Sequence, residues 1–312
     1  MISIIAFSDG NVVKLSRDIE NAKKRPVWID IHKPTAEDME FLEKHFKLDK
    51  LCIDDIKTPV LRPKIDNYNS YLFVVLHTVK LIDKRYRRIE LDFAIGKDFL
   101  ITSHYENLPN VEAIKQRCEK EDLLSNLDIL MYHLVSGLID SYNPVMEKIN
   151  NEISEFEKTF LNNPTKEQLS TATQLQKYVV DMRRIAGPER ETINQLTKPT
   201  YSFFNEKSQM YFRDAYDRIY RVTEQADTFH ALLSSSLQVY FSMVSMKLNE
   251  VVTLLTIIFT ITIPPTVIGT FYGMNFRDIP LSSDPWGFYA VMGISLAISG
   301  SMLLFFKKKG WI

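Results

Sequence analysis

Two stretches near the end of the chain, 251–271 and 288–306, carry no charged side chain, whereas charges recur throughout residues 1–247. About 20 apolar residues in a helix cross a hydrocarbon core of roughly 30 Å, and a single Lys or Asp at the centre would cost about 2.5–3.5 kcal/mol. The pattern therefore predicts two membrane spans. The competing reading is a buried hairpin in a soluble core, but soluble helices of this length normally carry a charged stripe.

Upstream the pattern is mixed. Residues 27–31, 71–82, 89–95 and 99–102 are rich in Val, Ile, Leu and Phe and read as strands. Thr35, followed three residues later by Asp38, reads as a helix start. After residue 122 the periodicity becomes helical: one helix over 123–160, a second over 166–196 with a kink or break at Pro188, and a third from about 206. No Pro or Gly interrupts 206–263, so the third helix runs straight into the first span. At 1.5 Å per residue it would reach about 90 Å or more. The expected organisation is an α/β domain over 1–121, a helical stalk region over 122–250 and a transmembrane hairpin with a basic tail over 251–312. No glycine-rich phosphate loop, internal repeat or low-complexity segment is present.

Charge fixes an expected orientation. With 38 basic and 39 acidic residues and a mean hydropathy of -0.13, the averages describe a soluble protein and conceal the two spans. No export signal opens the chain, which places the large amino-terminal part in the cytosol. Two spans return the carboxy terminus to the same side, where Lys307, Lys308 and Lys309 lie; Lys247 precedes the first span, and the intervening loop sets Arg277 against Asp278 and Asp284. The positive-inside rule agrees. A multi-pass cell-membrane protein with both termini cytoplasmic is the expectation, with no nucleic-acid partner. Cys52 and Cys118 stand far apart, as reduced cytosolic thiols do.

Alternating steps of three and four from Ser235 along the third helix reach Gln238, Ser242, Ser245, Asn249, Val252, Thr256, Phe259, Ile263, Thr266 and Thr270. This heptad-like stripe is polar where a coiled-coil seam would be apolar. Beside it runs an apolar stripe of Leu233, Leu237, Tyr240, Val244, Leu248, Val251 and Leu255. Helices packed through the apolar stripe would turn the polar one toward a shared axis, forming a tube interrupted by Val252, Phe259 and Ile263 that can close by dewetting; the candidate positions of the closed constriction are Val252, Leu255, Phe259 and Ile263. The alternative is that Ser and Thr merely let helices approach and hydrogen-bond. Two spans cannot enclose a pore, so transport requires a closed cyclic oligomer with 288–306 facing lipid. Pro264-Pro265 removes two backbone donors and predicts a bend.

At the end of the first span stands Tyr272-Gly273-Met274-Asn275-Phe276. With Asn249-Glu250-Val251, Thr256-Ile257-Ile258, Tyr211-Phe212-Arg213-Asp214, Asp54-Asp55-Ile56, Arg62-Pro63-Lys64, Tyr71-Leu72-Phe73 and Lys307-Lys308-Lys309-Gly310-Trp311, it closely resembles the CorA family of divalent cation channels. The resemblance implies an α+β membrane protein: a funnel-shaped homopentamer with a cytosolic α/β/α domain, a long stalk helix that becomes the pore, and a second span around it. It implies passive, potential-driven influx of Mg2+, with Co2+ or Ni2+ as further cargo. A Zn2+ transporter of the same family and a membrane-anchored metal sensor without transport are the alternatives. Tyr272, Gly273, Met274 and Asn275 would form the selectivity filter, with Gly273 allowing a tight turn and Tyr272 and Met274 holding the loop by packing. Asn249 would be a second amide ring, with Thr266 and Thr270 between as hydroxyl way-stations. Asp55 and Asp214, with Asp54 as a further candidate, would bind intracellular Mg2+ between subunits and favour closure. In the turn Leu138-Ile139-Asp140-Ser141, Ser141 replaces an acidic residue of some relatives, so a second metal position is lost or moved. No cofactor is implied other than Mg2+ as permeant and regulatory ion.

An enzyme reading would assemble a metal-hydrolase site from Asp30, His32, Asp54 and Asp55. Their spacing matches no ligand motif, and no nucleophile elbow is present.

Overall fold

The computed structural model describes residues 2–8, 11–15, 26–83, 85–118, 123–160, 166–201, 203–275, 279–281 and 283–311. By internal contacts the chain divides into two units, Met1–Ser236 and Leu237–Ile312.

The first unit is built on a seven-stranded mixed sheet. Its strands are β1 (Ile2–Ser8), β2 (Asn11–Leu15), β3 (Val27–His32), β4 (Lys64–Asn67), β5 (Tyr71–Ile82), β6 (Arg85–Gly96) and β7 (Phe99–His104), ordered β2-β1-β3-β7-β6-β5-β4. Only β3 and β7 pair in parallel, Val27 opposite Phe99 through His32 opposite His104; the other neighbours are antiparallel. Helices α1 (Ala36–Phe46) and α2 (Lys50–Lys57) cover one face, where Met39, Leu42, Cys52, Ile53 and Ile56 pack on Ile29, Ile31, Phe73, Val75 and Ile101. On the sheet also pack α4 (Leu127–Asp140) and α6 (Lys166–Leu196), while α3 (Pro109–Cys118) lies against α4. With helices over both faces, β5 is buried continuously from Tyr71 to Val79 and shows no alternation.

The strands expected at 27–31, 71–82, 89–95 and 99–102 are present, β6 and β7 being longer. Of the three strands not anticipated, β2 and β4 are the edges of the sheet, whereas β1, between β2 and β3, buries Ile4, Ile5 and Ala6. Thr35 forms the predicted helix start as a capping box: its Oγ1 accepts from the Asp38 amide at 3.3 Å, and Asp38 accepts from the Thr35 amide at 3.0 Å.

The helix expected over 123–160 is two helices, α4 and α5 (Tyr142–Phe160), separated at Ser141. Pro144 has no amide to donate to the Asp140 carbonyl, and Ser141 ends α4 by donating its hydroxyl to the Leu138 carbonyl at 2.6 Å. Pro188 neither breaks nor ends α6, which continues to Leu196. The final helices are α7 (Glu206–Tyr272) and α8 (Gly287–Lys308).

A buried ion pair ties β5 to α6. His77 Nδ1 lies 2.9 Å from Glu189 Oε1, whose oxygen also accepts the His77 amide at 2.8 Å, and both side chains are 2% exposed. Burial disfavours a charged His77, but the hydrogen bonds to Glu189 and Glu90 prevail and lift its pKa up to about 9. Burial also pushes Glu189 up to about 7 against the pull of His77. A histidine raised above its ordinary 6.5 stabilises the fold fully below that value and loses the contribution as pH rises through about 9. Melting of the detergent-solubilised protein is therefore expected to drop by several degrees between pH 7 and 10. His77→Gln should flatten that slope; an identical slope in wild type and variant would show that the pair does not supply it.

Candidate membrane pore and filter loop

The second unit pairs the carboxy-terminal part of α7 with α8, and both helices are long and apolar enough to cross a membrane. Ile257 at 6%, Ser295 at 8% and Phe306 at 7% exposure mark their contact. The predicted stripe lies elsewhere on α7. Phe259 is two residues, or about 200°, around the helix from Ile257, and Val252, Phe259 and Ile263 are 59%, 59% and 54% exposed. Asn249, Thr256, Thr266 and Thr270 are exposed as well, as is Leu255 of the apolar stripe. Packing against α8 thus leaves the whole stripe bare.

The stripe hydroxyls have a defined polarity. Thr256, Thr266 and Thr270 each donate to the carbonyl four residues back, on Val252, Thr262 and Thr266, at 2.7 Å. With the hydrogen committed inward, each oxygen presents only acceptor lone pairs outward, an arrangement that suits a cation or its water shell.

Pro264 and Pro265 lie within a continuous α7. Pro265 has no amide for the Ile261 carbonyl, and Ser299 of α8 replaces it by donating its hydroxyl there at 2.8 Å. An unpaired carbonyl in hydrocarbon is costly. Ser299→Ala should lower stability by about 0.6–1.7 kcal/mol in detergent unfolding, and Ser299→Thr should restore it. Equal stability of the alanine variant would show that something else satisfies the carbonyl.

At the end of α7 the Gly273 amide bonds the carbonyls of Gly269 and Thr270 at 3.0 and 3.1 Å, and the Met274 amide bonds Phe271 at 3.3 Å. The loop is held by a hydrogen bond from the Tyr272 hydroxyl to the Pro280 carbonyl at 2.7 Å, where packing alone was expected, while Met274 is 43% exposed. Gly273 is not in the left-handed region, and a Cβ there would meet the Gly269 and Thr270 oxygens at an ordinary 3.4 and 3.5 Å. The turn itself therefore does not demand glycine at this position. It does at Gly287, where a Cβ would lie 1.8 Å from the Leu281 carbonyl oxygen; Leu281 itself adopts φ 62°. Asn275 is exposed, and its carboxamide bonds none of the described residues. Phe276, Arg277 and Asp278 lie outside the described residues.

The basic tail ends α8 in a Schellman motif. Gly310 at φ 72° donates to Lys307 at 3.1 Å, and Trp311 donates to Phe306 at 3.0 Å and stacks on its ring at 5.6 Å.

The three carboxylates expected to sense metal are not gathered within one chain, and among the described residues no group of three or more His, Cys, Asp or Glu is placed to hold a metal. Asp54 is exposed on α2. Asp55 is paired to Lys64 at 2.5 Å, and Lys64 also reaches Asp66 at 2.7 Å. Asp214 accepts from the Tyr132 hydroxyl at 3.2 Å and lies 4.0 Å from Arg218, which also contacts Asp140 and donates to Ser136 at 2.6 Å. Sequence reading missed these basic partners: Lys64 was visible in Arg62-Pro63-Lys64, but its pairing needs the register of β4. Of the enzyme candidates, Asp30 is committed to Thr102 at 2.5 Å, His104 at 3.3 Å and Lys115 at 2.7 Å. Although burial raises its pKa, His104 and Lys115 prevail and hold it below the ordinary value.

A mixed sheet covered by helices, with two apolar helices at the carboxy terminus, defines a two-span α+β membrane protein. Residues 23–308 match the family described as CorA-like Mg2+ transporter protein. The cobalt/magnesium transport protein CorA of Thermotoga maritima is 31% identical over 294 residues, spanning 92% of this chain and 84% of that protein. The complete structure of the CorA magnesium transporter from Methanocaldococcus jannaschii superposes with a TM-score of 0.83 at 21% identity, covering 100% of this chain and 99% of that one. The full-length CmaX protein gives 0.76 at 18% identity, covering 99% and 97%. The chain belongs to the CorA-like Mg2+ transporter family; it is an ion transporter and not an enzyme.

Proposed function

We propose that the chain is one subunit of a homopentameric channel in the cell membrane that admits Mg2+ passively, with both termini in the cytoplasm. The observation that carries this reading is the stripe of α7 left bare by α8: five copies turned to a common axis would enclose hydroxyl oxygens and hydrophobic rings. Tyr272, Gly273, Met274 and Asn275 form the filter, with the hydrated ion held by amide and carbonyl oxygens, because Mg2+ dehydrates reluctantly. The names of the Thermotoga maritima and Methanocaldococcus jannaschii proteins support Mg2+ and Co2+ as cargo. Inward movement of a divalent ion across about 100 mV releases roughly 4.6 kcal/mol, so no motor is needed. Internal Mg2+ bound at Asp55 and Asp214 of neighbouring subunits closes the pore, with Val252, Leu255, Phe259 and Ile263 as the constriction.

Purified protein in dye-loaded liposomes should pass Mg2+ under an inward gradient and a negative internal potential. Competition by Co2+, Ni2+ and Zn2+ in the same assay ranks the cargo. Absence of any divalent flux would overturn transport and leave a metal sensor.

A further inference from the structure

A cleft of about 770 Å3 opens in the first unit between α6, β6 and the segment before β4. Its volume falls within the roughly 300–1,000 Å3 typical of small-molecule sites. Four guanidinium groups line it, Arg62, Arg88, Arg184 and Arg190, against one carboxylate, Glu191. That carboxylate is already spent: Arg190 binds it through Nη2 at 3.0 Å and Nε at 3.3 Å. Arg88 gives one nitrogen to the Leu61 carbonyl. Arg62 and Arg184 make no hydrogen bond or ion pair with the described residues. The carboxylates nearest Arg184 and Arg88, Asp181 and Glu189, do not line the cleft, so within this concavity guanidinium groups outnumber carboxylates four to one.

Such a cluster is self-repulsive until an anion enters. Guanidinium forks match the geometry of phosphate oxygens, and three exceed what a single carboxylate ligand can use. The cleft also has an apolar wall. Leu61 is 69% exposed within it, flanked by Pro63 and Pro188. Gly187, whose missing Cβ would meet nothing within 4 Å, keeps the α6 side of the cleft low. We propose that this cleft binds a nucleoside polyphosphate, with its phosphates on Arg62, Arg88 and Arg184 and its nucleoside against Leu61, Pro63 and Pro188.

The test is calorimetric titration of ATP, pyrophosphate and inorganic phosphate into the full-length protein in detergent, in metal-free buffer so that chelation does not register as binding. ATP should bind more tightly than pyrophosphate, and its affinity should fall as salt rises. Arg62→Ala combined with Arg184→Ala should weaken ATP at least tenfold with little change in thermal melting, since both side chains are exposed and surface charges contribute little to stability. No binding of ATP, or equal affinity in the double variant, would overturn the site. Pyrophosphate binding as tightly as ATP would overturn the nucleoside. Displacement of ATP by phosphatidylglycerol in mixed micelles would overturn the soluble ligand and assign the arginines to lipid headgroups.

Discussion

Replacing Asn275 by alanine is expected to cut Mg2+ uptake into liposomes at least tenfold, the largest loss predicted for any single side chain of the pore. Mg2+ holds its water shell tightly and demands near-octahedral geometry. A filter that selects it must therefore bind water instead of stripping it, and a carboxamide does so without the grip of a full charge. The carboxamide of Asn275 is exposed and bonds none of the described residues. A hydrogen bond to a charged group is worth about 1.5–3 kcal/mol, and each 1.36 kcal/mol is tenfold in rate, so even one effective bond lost from the ring gives the stated change. Its exposure predicts unchanged folding: melting of the variant should coincide with wild type, which separates a lost filter from a lost protein. Wild-type flux in Asn275→Ala would remove Asn275 from the filter.

The membrane part was the more legible half of this chain. Charge-free runs have one cheap interpretation, and the stripe from Asn249 to Thr270 is readable because helical geometry is fixed by spacing alone. The α8-facing surface was not readable. Nothing in Ser299 distinguishes it from Ser301 until the register of α8 sets its hydroxyl on the carbonyl that Pro265 orphans. Glycine misled in a related way. Gly273 drew attention by its motif, yet the backbone constraint sits at Gly287, whose need arises from the left-handed Leu281 six residues earlier. In the first unit the central strands were plain because both faces of β5 are buried. The edge strands β2 and β4 were missed because pairing, not pattern, holds them, whereas the apolar run of β1, with Ile4, Ile5 and Ala6 buried, was legible in the sequence. The break at Ser141 was foreshadowed by Pro144, whereas Pro188 shows that a proline inside a helix need not end it.

Removing both proposed sensing carboxylates, Asp55→Ala with Asp214→Ala, is expected to leave flux undiminished at millimolar internal Mg2+, where the proposed mechanism closes the wild type. Carboxylates facing each other across subunits repel when empty and are bridged when a divalent ion binds, so the metal favours the closed arrangement by its differential affinity for it. The ion pairs found here add a second, opposite prediction. Lys64 lies 2.5 Å from Asp55 and 2.7 Å from Asp66, so internal metal must compete with an ammonium already in place. Lys64→Met removes the competitor and leaves two carboxylates whose mutual repulsion a divalent ion relieves. Its side chain is 32% exposed, and a pair in such a position is worth at most about 1 kcal/mol. The internal Mg2+ concentration for half-closure should accordingly fall about three- to fivefold, with little change in stability. Arg218, which contacts Asp140 and stands near Asp214, would be the corresponding competitor at the other carboxylate. Half-closure measured in liposomes loaded with graded Mg2+ reads both effects. The double alanine variant and Lys64→Met should move it in opposite directions, and a threshold unmoved by either would place the sensor on other residues.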